Sequence, residues 1–120
     1  ERSGMPRSVL EYLRHILDEA IYLRDRSQEL SFDDFMKNET LKRAFARSIE
    51  IIGEAAKQVP DDVRKKYPDI EWREIAGMRD HLIHGYFSVD YKIVWSVAKE
   101  EATSLIESIG FIIAQESSDQ

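Results

Sequence analysis

The chain contains no cysteine among its 120 residues, which excludes a disulfide framework and a metal site built from thiolates. Its apolar runs are all shorter than the roughly 18 residues that a membrane-spanning helix requires, so we expect no membrane anchor. No secretion signal is visible, and together with the missing cysteines this favours a cytoplasmic protein. Proline is also scarce, and Pro6, Pro60 and Pro68 lie at predicted helix ends.

Basic residues are outnumbered by acidic ones, 17 to 23, which gives a formal net charge of −6. Nucleic-acid binding normally depends on clustered Lys and Arg for phosphate contacts, so this charge argues against a high-affinity, unassisted RNA-binding module. It argues less strongly against an enzyme that requires only a locally positive cleft. It also suits a protein that binds a protein partner.

The length predicts a single domain, to which we assign residues 1–120. The shares of hydrophobic residues (42%) and charged residues (33%) are typical of a globular, helix-rich chain. Residues 1–4, which precede Met5, are typical of a vector-derived extension and are left out of the fold prediction. Residues 115–120 form a polar tail, and we expect it to be frayed.

Apolar residues recur at three- and four-residue steps along most of the chain, which is the period of an amphipathic helix. No segment shows the alternation of a strand, and no repeat or low-complexity tract is present. We therefore predict an all-α fold, an up-and-down bundle of four long helices with one or two short extra helices. The predicted helices are Pro6–Arg26, Phe32–Lys37, Asn38 or Thr40 to about Val59, Asp61–Lys66, Glu71 to about His84, and Tyr91 to about Ala114.

Three features depart from a simple amphipathic pattern. Lys42, Arg43 and Arg47 lie off the apolar stripe of their helix and form a basic strip, which is either a solvated face or a track for RNA phosphates. Gly77 lies in the middle of the helix predicted over 71–84 and allows a bend or a close helix neighbour. Glu101 is the one polar residue on the apolar stripe of the last helix.

A polar segment, residues 79–86, contains an arginine, an acid, two histidines and a tyrosine within eight residues. On a continuous helix Asp80 and His84 would stack one turn apart. Arg79 and His84 would lie roughly 140° apart around the axis and about 7.5 Å along it, so their side chains would not meet tightly within one helix. Gly85 suits the left-handed C-cap of that helix.

The spacing of Arg79, His84 and Tyr86 resembles the Arg-x4-His-x-Tyr signature of the HEPN superfamily, in its HepT-like toxin branch. The flanking segments agree, because Trp72–Met78 leads into the motif and Phe87–Asp90 leads out of it. With the tryptophan, the tyrosine and an all-helical frame of this size, the match is specific.

The resemblance extends from Met5 to about Gly110 and implies a HEPN-like helical fold with ribonuclease activity. It implies a homodimer in which the catalytic site is composed at the subunit interface. It also implies a protein partner, a nucleotidyltransferase antitoxin that transfers AMP from ATP to Tyr86 and so silences a toxin. An adenylate there would place a bulky anion in a cationic cleft.

The residue types of the motif suit cleavage of an RNA phosphodiester without a metal. A base takes the proton from the attacking 2′-hydroxyl, an acid protonates the leaving oxygen, and a fixed cation meets the charge on the phosphoryl oxygens. A histidine titrates near neutral pH, so His84 suits either proton-transfer role. Arg79 presents a planar, permanently charged fork that matches phosphate oxygens. One chain supplies one such histidine, whereas a symmetric dimer supplies two.

Two neighbouring residues have more than one interpretation. Asp80 is predicted to orient His84 or Arg79 through a hydrogen bond, and the alternative is an Asp–Arg pair that steadies the helix. Tyr86 is an apolar lid, a platform on which a base stacks, or the modified hydroxyl.

We expect neither a metal nor another cofactor. His81 and His84 are three residues apart, but no third ligand lies at a recognised spacing, and His15 stands alone on the first helix. The alternative to a ribonuclease is a non-catalytic helical subunit that binds and positions a nucleotidyltransferase, with the motif serving as a docking or nucleotide contact.

Overall fold

The computed structural model describes residues 5–84 and 88–118, without the side chains of residues 83, 84 and 118. Its helices are α1 (Arg7–Gln28), α2 (Phe32–Lys37), α3 (Glu39–Lys57), α4 (Asp61–Lys66), α5 (Trp72–Ala76), α6 (Met78–Leu82), α7 (Tyr91–Ser96) and α8 (Ala102–Ser118). A π-helical turn, Val97–Glu101, joins α7 to α8 in one long helical stretch. Two-residue strands, β1 (Ile83–His84) and β2 (Ser88–Val89), pair antiparallel.

The core lies where α1 packs against both α3 and α8. The apolar stripes predicted from the sequence supply it, and these side chains are fully buried: Leu13, Ile16, Leu23, Phe45, Ile49, Ile52, Ile109 and Ile112. Burial of each such side chain contributes about 1.5–3 kcal/mol relative to exposure. The all-α prediction is confirmed. In the described part of the chain no helix combines the length and apolarity needed to cross a bilayer.

An aromatic cluster holds the short helix α2 over the core. The ring of Phe35 lies 4.9 Å from that of Phe45 and 5.1 Å from that of Trp95, measured between centroids. Tyr22 meets Phe45 edge to face at 5.8 Å. Because these rings come from α1, α2, α3 and α7, the cluster fixes the relative positions of four helices.

Polar side chains cap the starts of α2, α3 and α7. Ser31 accepts a hydrogen bond from a backbone amide at the start of α2, and Asn38 does the same for α3 at 3.0 Å. Asp90 accepts from two amides at the start of α7. Such caps satisfy amides that have no intrahelical partner.

The motif segment differs from its prediction. The prediction of one continuous helix over 71–84 is wrong, because α5 ends before Gly77 and α6 ends at Leu82. A glycine inside a helix costs about 1 kcal/mol relative to alanine, and here it stands where the two short helices meet. Strands β1 and β2 were not predicted, because each contains two residues and is too short to show the alternation of a strand. Gly85, the predicted C-cap, lies outside the described residues.

The last helix also runs further than predicted. It continues to Ser118, past the Gln115 at which we expected a frayed tail to begin. The reason is Glu116, whose side chain is 2% exposed and accepts hydrogen bonds from the Tyr67 hydroxyl and, at 2.7 Å, from Nζ of Lys66. Lys66 and Tyr67 together hold the pKa of Glu116 below its usual value of 4.5, although burial opposes them.

Candidate active site

The short helices α5 and α6 are fixed against α3. A Cβ atom at Gly53 of α3 would lie 3.2 Å from the carbonyl oxygen of Ala76, so glycine permits this close approach. Trp72 begins α5 with a buried ring and donates from Nε1 to the Tyr67 carbonyl at 3.0 Å. Leu82 ends α6 and is 2% exposed. Packing at both ends of the α5–α6 segment therefore fixes which side chains of α6 face α3.

Arg79 projects from α6 toward α3, where it meets Glu50. Its Nε lies 3.1 Å from Oε2 of Glu50, and the other carboxylate oxygen lies 3.6 Å from Nη1 of Arg47. One carboxylate thus contacts two guanidinium groups. The side chains of Arg79 and Glu50 are 42% and 31% exposed, so the pair is accessible to solvent and to a ligand.

A pocket of about 160 Å³ surrounds this pair, and we call it the arginine pocket. Its lining residues are Arg43, Ala46, Arg47, Glu50, Arg79, Leu82, Val89 and Tyr91. Arg43, Arg47 and Glu50 follow one another at four- and three-residue steps and so share one face of α3. Three guanidinium groups against one carboxylate make the pocket locally positive in a chain of net charge −6.

The structure thus brings two residues of the predicted basic strip to the predicted catalytic arginine. Arg43 and Arg47 line the pocket with Arg79. Lys42 does not line the pocket, although its Nζ lies 4.7 Å from the centre of the ring of Tyr91, a lining residue, and 3.1 Å from a Glu39 carboxylate oxygen.

Glu50 holds the guanidinium of Arg79 and leaves part of it accessible to a ligand. Glu50 engages Nε, which leaves the two terminal nitrogens of Arg79 outside this ion pair. Those nitrogens form the part of the guanidinium fork that binds phosphate oxygens in pairs. A small anion in the pocket can therefore be bound without breaking the contact to Glu50.

The other predicted site residues lie around this pocket or outside the described atoms. Asp80 is exposed on α6. The backbone of His84 lies in β1 opposite Ser88 of β2, next to the pocket residue Val89. The side chain of His84 and the whole of Tyr86 lie outside the described residues.

The two remaining histidines lie elsewhere. His15 is exposed on α1, and His81 is exposed on the side of α6 that faces a separate groove. Within the described residues no group of three or more His, Asp and Glu side chains is placed to hold a metal ion.

Glu50 is the site residue that sequence reasoning missed. Its signal was its place on α3, three residues after Arg47 and seven after Arg43, which puts a carboxylate in line with the basic strip. The partner of that carboxylate, Arg79, is 29 residues away in the sequence, and only the packing of α6 on α3 brings the two together.

Comparison with known proteins identifies the family. The sequence model of a family described as ribonuclease HepT-like matches residues 11–112. The chain belongs to the HepT-like ribonuclease family. The resemblance inferred from Arg79, His84 and Tyr86 is therefore confirmed at the level of the family.

Relatives among known proteins match over most of their length. A candidate RNase from Caldanaerobacter subterraneus subsp. tengcongensis is 48% identical over 105 residues, which cover 88% of this chain and 94% of that relative. A protein named probable ribonuclease HepT, from Thermococcus cleftensis, is 42% identical over 101 residues, or 84% of this chain and 92% of its own length. A candidate RNase from Methanocaldococcus jannaschii is 40% identical over 107 residues, or 89% and 88%. No solved structure matches the chain.

Proposed function

We propose that this HepT-like chain is a metal-independent endoribonuclease in which the arginine pocket binds the scissile phosphate. The observation that carries the proposal is the pocket itself, where Arg79 of the family motif meets Arg43 and Arg47 of α3. Arginine is suited to this role because its charge does not titrate and its planar fork matches phosphate oxygens.

The chemistry assigned to the site is transfer of the phosphoryl group from one ribose oxygen to another. The 2′-oxygen forms a bond to phosphorus as its proton passes to a His84 imidazole. The bond from phosphorus to the 5′-oxygen breaks as that oxygen takes a proton from a second imidazole. Arg79, backed by Arg47, meets the negative charge on the two non-bridging oxygens. The products are a 2′,3′-cyclic phosphate and a 5′-hydroxyl.

The second imidazole in this mechanism comes from a second copy of the chain. Each protomer carries one His84, and a two-fold symmetric pair brings two motifs to one interface. Arg79 is 42% exposed, so its guanidinium is accessible to such a partner.

Control by a partner enzyme is the second half of the proposal. A nucleotidyltransferase antitoxin transfers AMP from ATP to Tyr86 and releases pyrophosphate. Tyr86 precedes the pocket residue Val89 by three positions, and three residues span at most about 10 Å. An adenylate on Tyr86 would add an anion that competes with RNA phosphate for the arginines of the pocket.

The test of catalysis uses the purified chain, a labelled single-stranded RNA and excess EDTA. We expect cleavage without metal and its loss in His84→Ala, with products that end in a cyclic phosphate. His81→Ala is the matched control, because it removes an exposed histidine three residues away that lines a separate groove. Equal cleavage by His84→Ala would refute the assignment. A wild-type chain that is inactive in EDTA would favour the non-catalytic subunit instead.

The test of the dimer mixes wild-type and His84→Ala chains, which are unfolded and refolded together so that subunits exchange. A site that needs one His84 from each protomer is lost in the heterodimer, so cleavage should fall as the square of the wild-type fraction. A fall in direct proportion to that fraction, with heterodimers demonstrated by mass, would mean that each protomer works independently.

A further inference from the structure

A second concave surface lies on the other side of α6, between α5–α6 and the long helical stretch formed by α7, the π-helical turn and α8. We call it the acidic groove, and its volume is about 660 Å³. Its apolar floor is formed by Ile75, Met78, Val97 and Leu105, all at least nine-tenths buried. Its rim carries five exposed carboxylates: Asp69, Glu71, Glu74, Glu100 and Glu101. Among the described lining residues there is no Lys or Arg.

The π-helical turn shapes one wall of this groove. A π turn contains one more residue than an α turn, which rotates the residues that follow relative to those before it. The sequence placed Glu101 on the buried stripe, yet Glu101 is exposed in the groove, while Ala98 and Ala102 take the buried positions beside it. π turns are uncommon and recur at functional sites.

The π-helical turn places its acidic and basic side chains on different sides of the helix. Glu100 and Glu101 line the groove. Lys99 points away from it, since its Nζ lies 3.4 Å from the Ser27 carbonyl oxygen and 5.5 Å from the centre of the Trp95 ring. The lysine that could neutralise the two glutamates is thus held on the α1 side of the helix.

We propose that the acidic groove is the docking site of a cationic amphipathic segment from a partner protein. Apolar side chains of the segment would cover Ile70 and Ile93, the partly exposed apolar residues of the lining, together with the exposed edges of the floor, and its Lys or Arg side chains would reach the carboxylates of both walls. This is the arrangement in which an amphipathic helix is recognised by a groove, with apolar anchors for affinity and charge for orientation.

The charge of the groove favours a cationic protein segment as its occupant over RNA and over a second copy of the chain. RNA is a polyanion and is repelled by five carboxylates that no Lys or Arg of the described lining offsets. A second copy of the chain that docked groove to groove would place like charges opposite each other, because a two-fold interface pairs a patch with itself. A cationic protein segment alone complements both the floor and the rim.

This site is independent of the nuclease proposal. The arginine pocket lies on the α3 side of α6 and the acidic groove on the α8 side. A segment bound in the groove leaves the pocket free, so its binding can be measured whether or not the chain cleaves RNA.

The test uses two labelled synthetic peptides of identical composition, one with Leu and Lys at helical spacing and one scrambled to remove the apolar face. Fluorescence anisotropy with the full chain at physiological ionic strength should give saturable binding of the amphipathic peptide only. Glu100→Lys/Glu101→Lys should weaken that binding at least tenfold. The control Glu11→Lys/Asp18→Lys makes the same change in net charge on the exposed face of α1 and should leave it unchanged.

Four outcomes would overturn the proposal. They are equal binding of the scrambled peptide, equal weakening by the α1 control, direct binding of a labelled single-stranded RNA that Glu100→Lys/Glu101→Lys weakens, or a change in oligomeric state in the groove variant, which would assign the groove to a second copy. Circular dichroism confirms folding of each variant. Glu100→Gln/Glu101→Gln, which removes charge without changing side-chain size, replaces the lysine variant if that variant fails to fold.

Discussion

The arginine pocket and the acidic groove lie on two sides of the same five-residue helix and differ in nearly every physical property. Arg79 of α6 enters the pocket, whereas Met78 and His81 of the same helix face the groove. The pocket gathers three guanidinium groups around one carboxylate, and the groove gathers five carboxylates around an apolar floor. Successive helical residues point about 100° apart, so one turn of α6 suffices to separate the two surfaces.

The comparison explains why the net charge is a poor guide to the ligand of this chain. The value of −6 is an average over surfaces of opposite sign. A phosphate responds to the local potential within about 8–10 Å at physiological ionic strength, since more distant charges are screened. The acidic balance that argued against RNA therefore acts mainly at the groove, and the pocket remains suited to an anion.

The largest expected effect is on the rate of RNA cleavage, and it follows from a change in the arginine pocket alone. Arg79→Ala should lower the rate of RNA cleavage by about 10²-fold, because it removes the cation aimed at the developing charge. Arg14→Ala, which removes an exposed arginine from α1, is the matched control and should leave the rate unchanged. A single-turnover assay with saturating enzyme measures the effect. If Glu100→Gln in the groove slowed cleavage as much, the two surfaces would not be functionally separate.

A second prediction concerns stability. It gives a reference for deciding whether a variant that loses cleavage or binding has lost its fold. Glu116 lies in neither surface and ties α8 to Lys66 and Tyr67. Glu116→Gln should lower the free energy of unfolding by about 1–3 kcal/mol at pH 7, since a buried, charge-assisted contact is removed. Urea unfolding measures it, with Glu107→Gln on the exposed face of α8 as control.

The pH dependence of that effect follows from the lowered pKa of Glu116. Its folded pKa lies below the usual 4.5, so the carboxylate contributes stability above pH 4.5 and loses this contribution as the pH falls through the folded pKa. The difference in unfolding free energy between wild type and Glu116→Gln should therefore shrink as the solution is acidified below pH 4.5. A difference that stayed constant down to pH 3 would mean that the charge of Glu116 is not its source.

Sequence reasoning reached the fold and part of the pocket, and the reasons for its misses are physical. Helical periodicity located the core because burial imposes it, and Arg43 and Arg47 were recognised as a strip because neighbours on a helix share a face. The Arg79–Glu50 contact could not be found this way, since it depends on how α6 packs on α3. Nor could the π turn, which moved Glu101 off the stripe without any local signal in residue type.

The third prediction separates positioning from binding within the pocket. Glu50→Gln removes the carboxylate that contacts Arg79 and Arg47 but keeps the size of the side chain. RNA should bind more tightly at low salt because a competing anion is lost, so KM falls. The maximal rate should fall about tenfold because Arg79 is no longer oriented, and a pair this exposed contributes only about 0–1 kcal/mol to stability. A fall in rate accompanied by a rise in KM would contradict the positioning role.

The smallest expected effect is on affinity. Arg43 and Arg47 are 80% and 62% exposed, so each alone should add modestly to the binding of RNA phosphates. Arg43→Ala and Arg47→Ala should each weaken binding several-fold and reduce the slope of log affinity against log salt by about 0.7 per lost phosphate contact to a single strand. The rate at saturation should change little, since Arg79 still meets the reacting phosphate. Titrations of inactive His84→Ala chains at several salt concentrations measure the slope, with Arg14→Ala as control. An unchanged slope in both variants would return Arg43 and Arg47 to the solvated face that the sequence also allowed and leave Arg79 as the sole cation of the pocket that binds RNA.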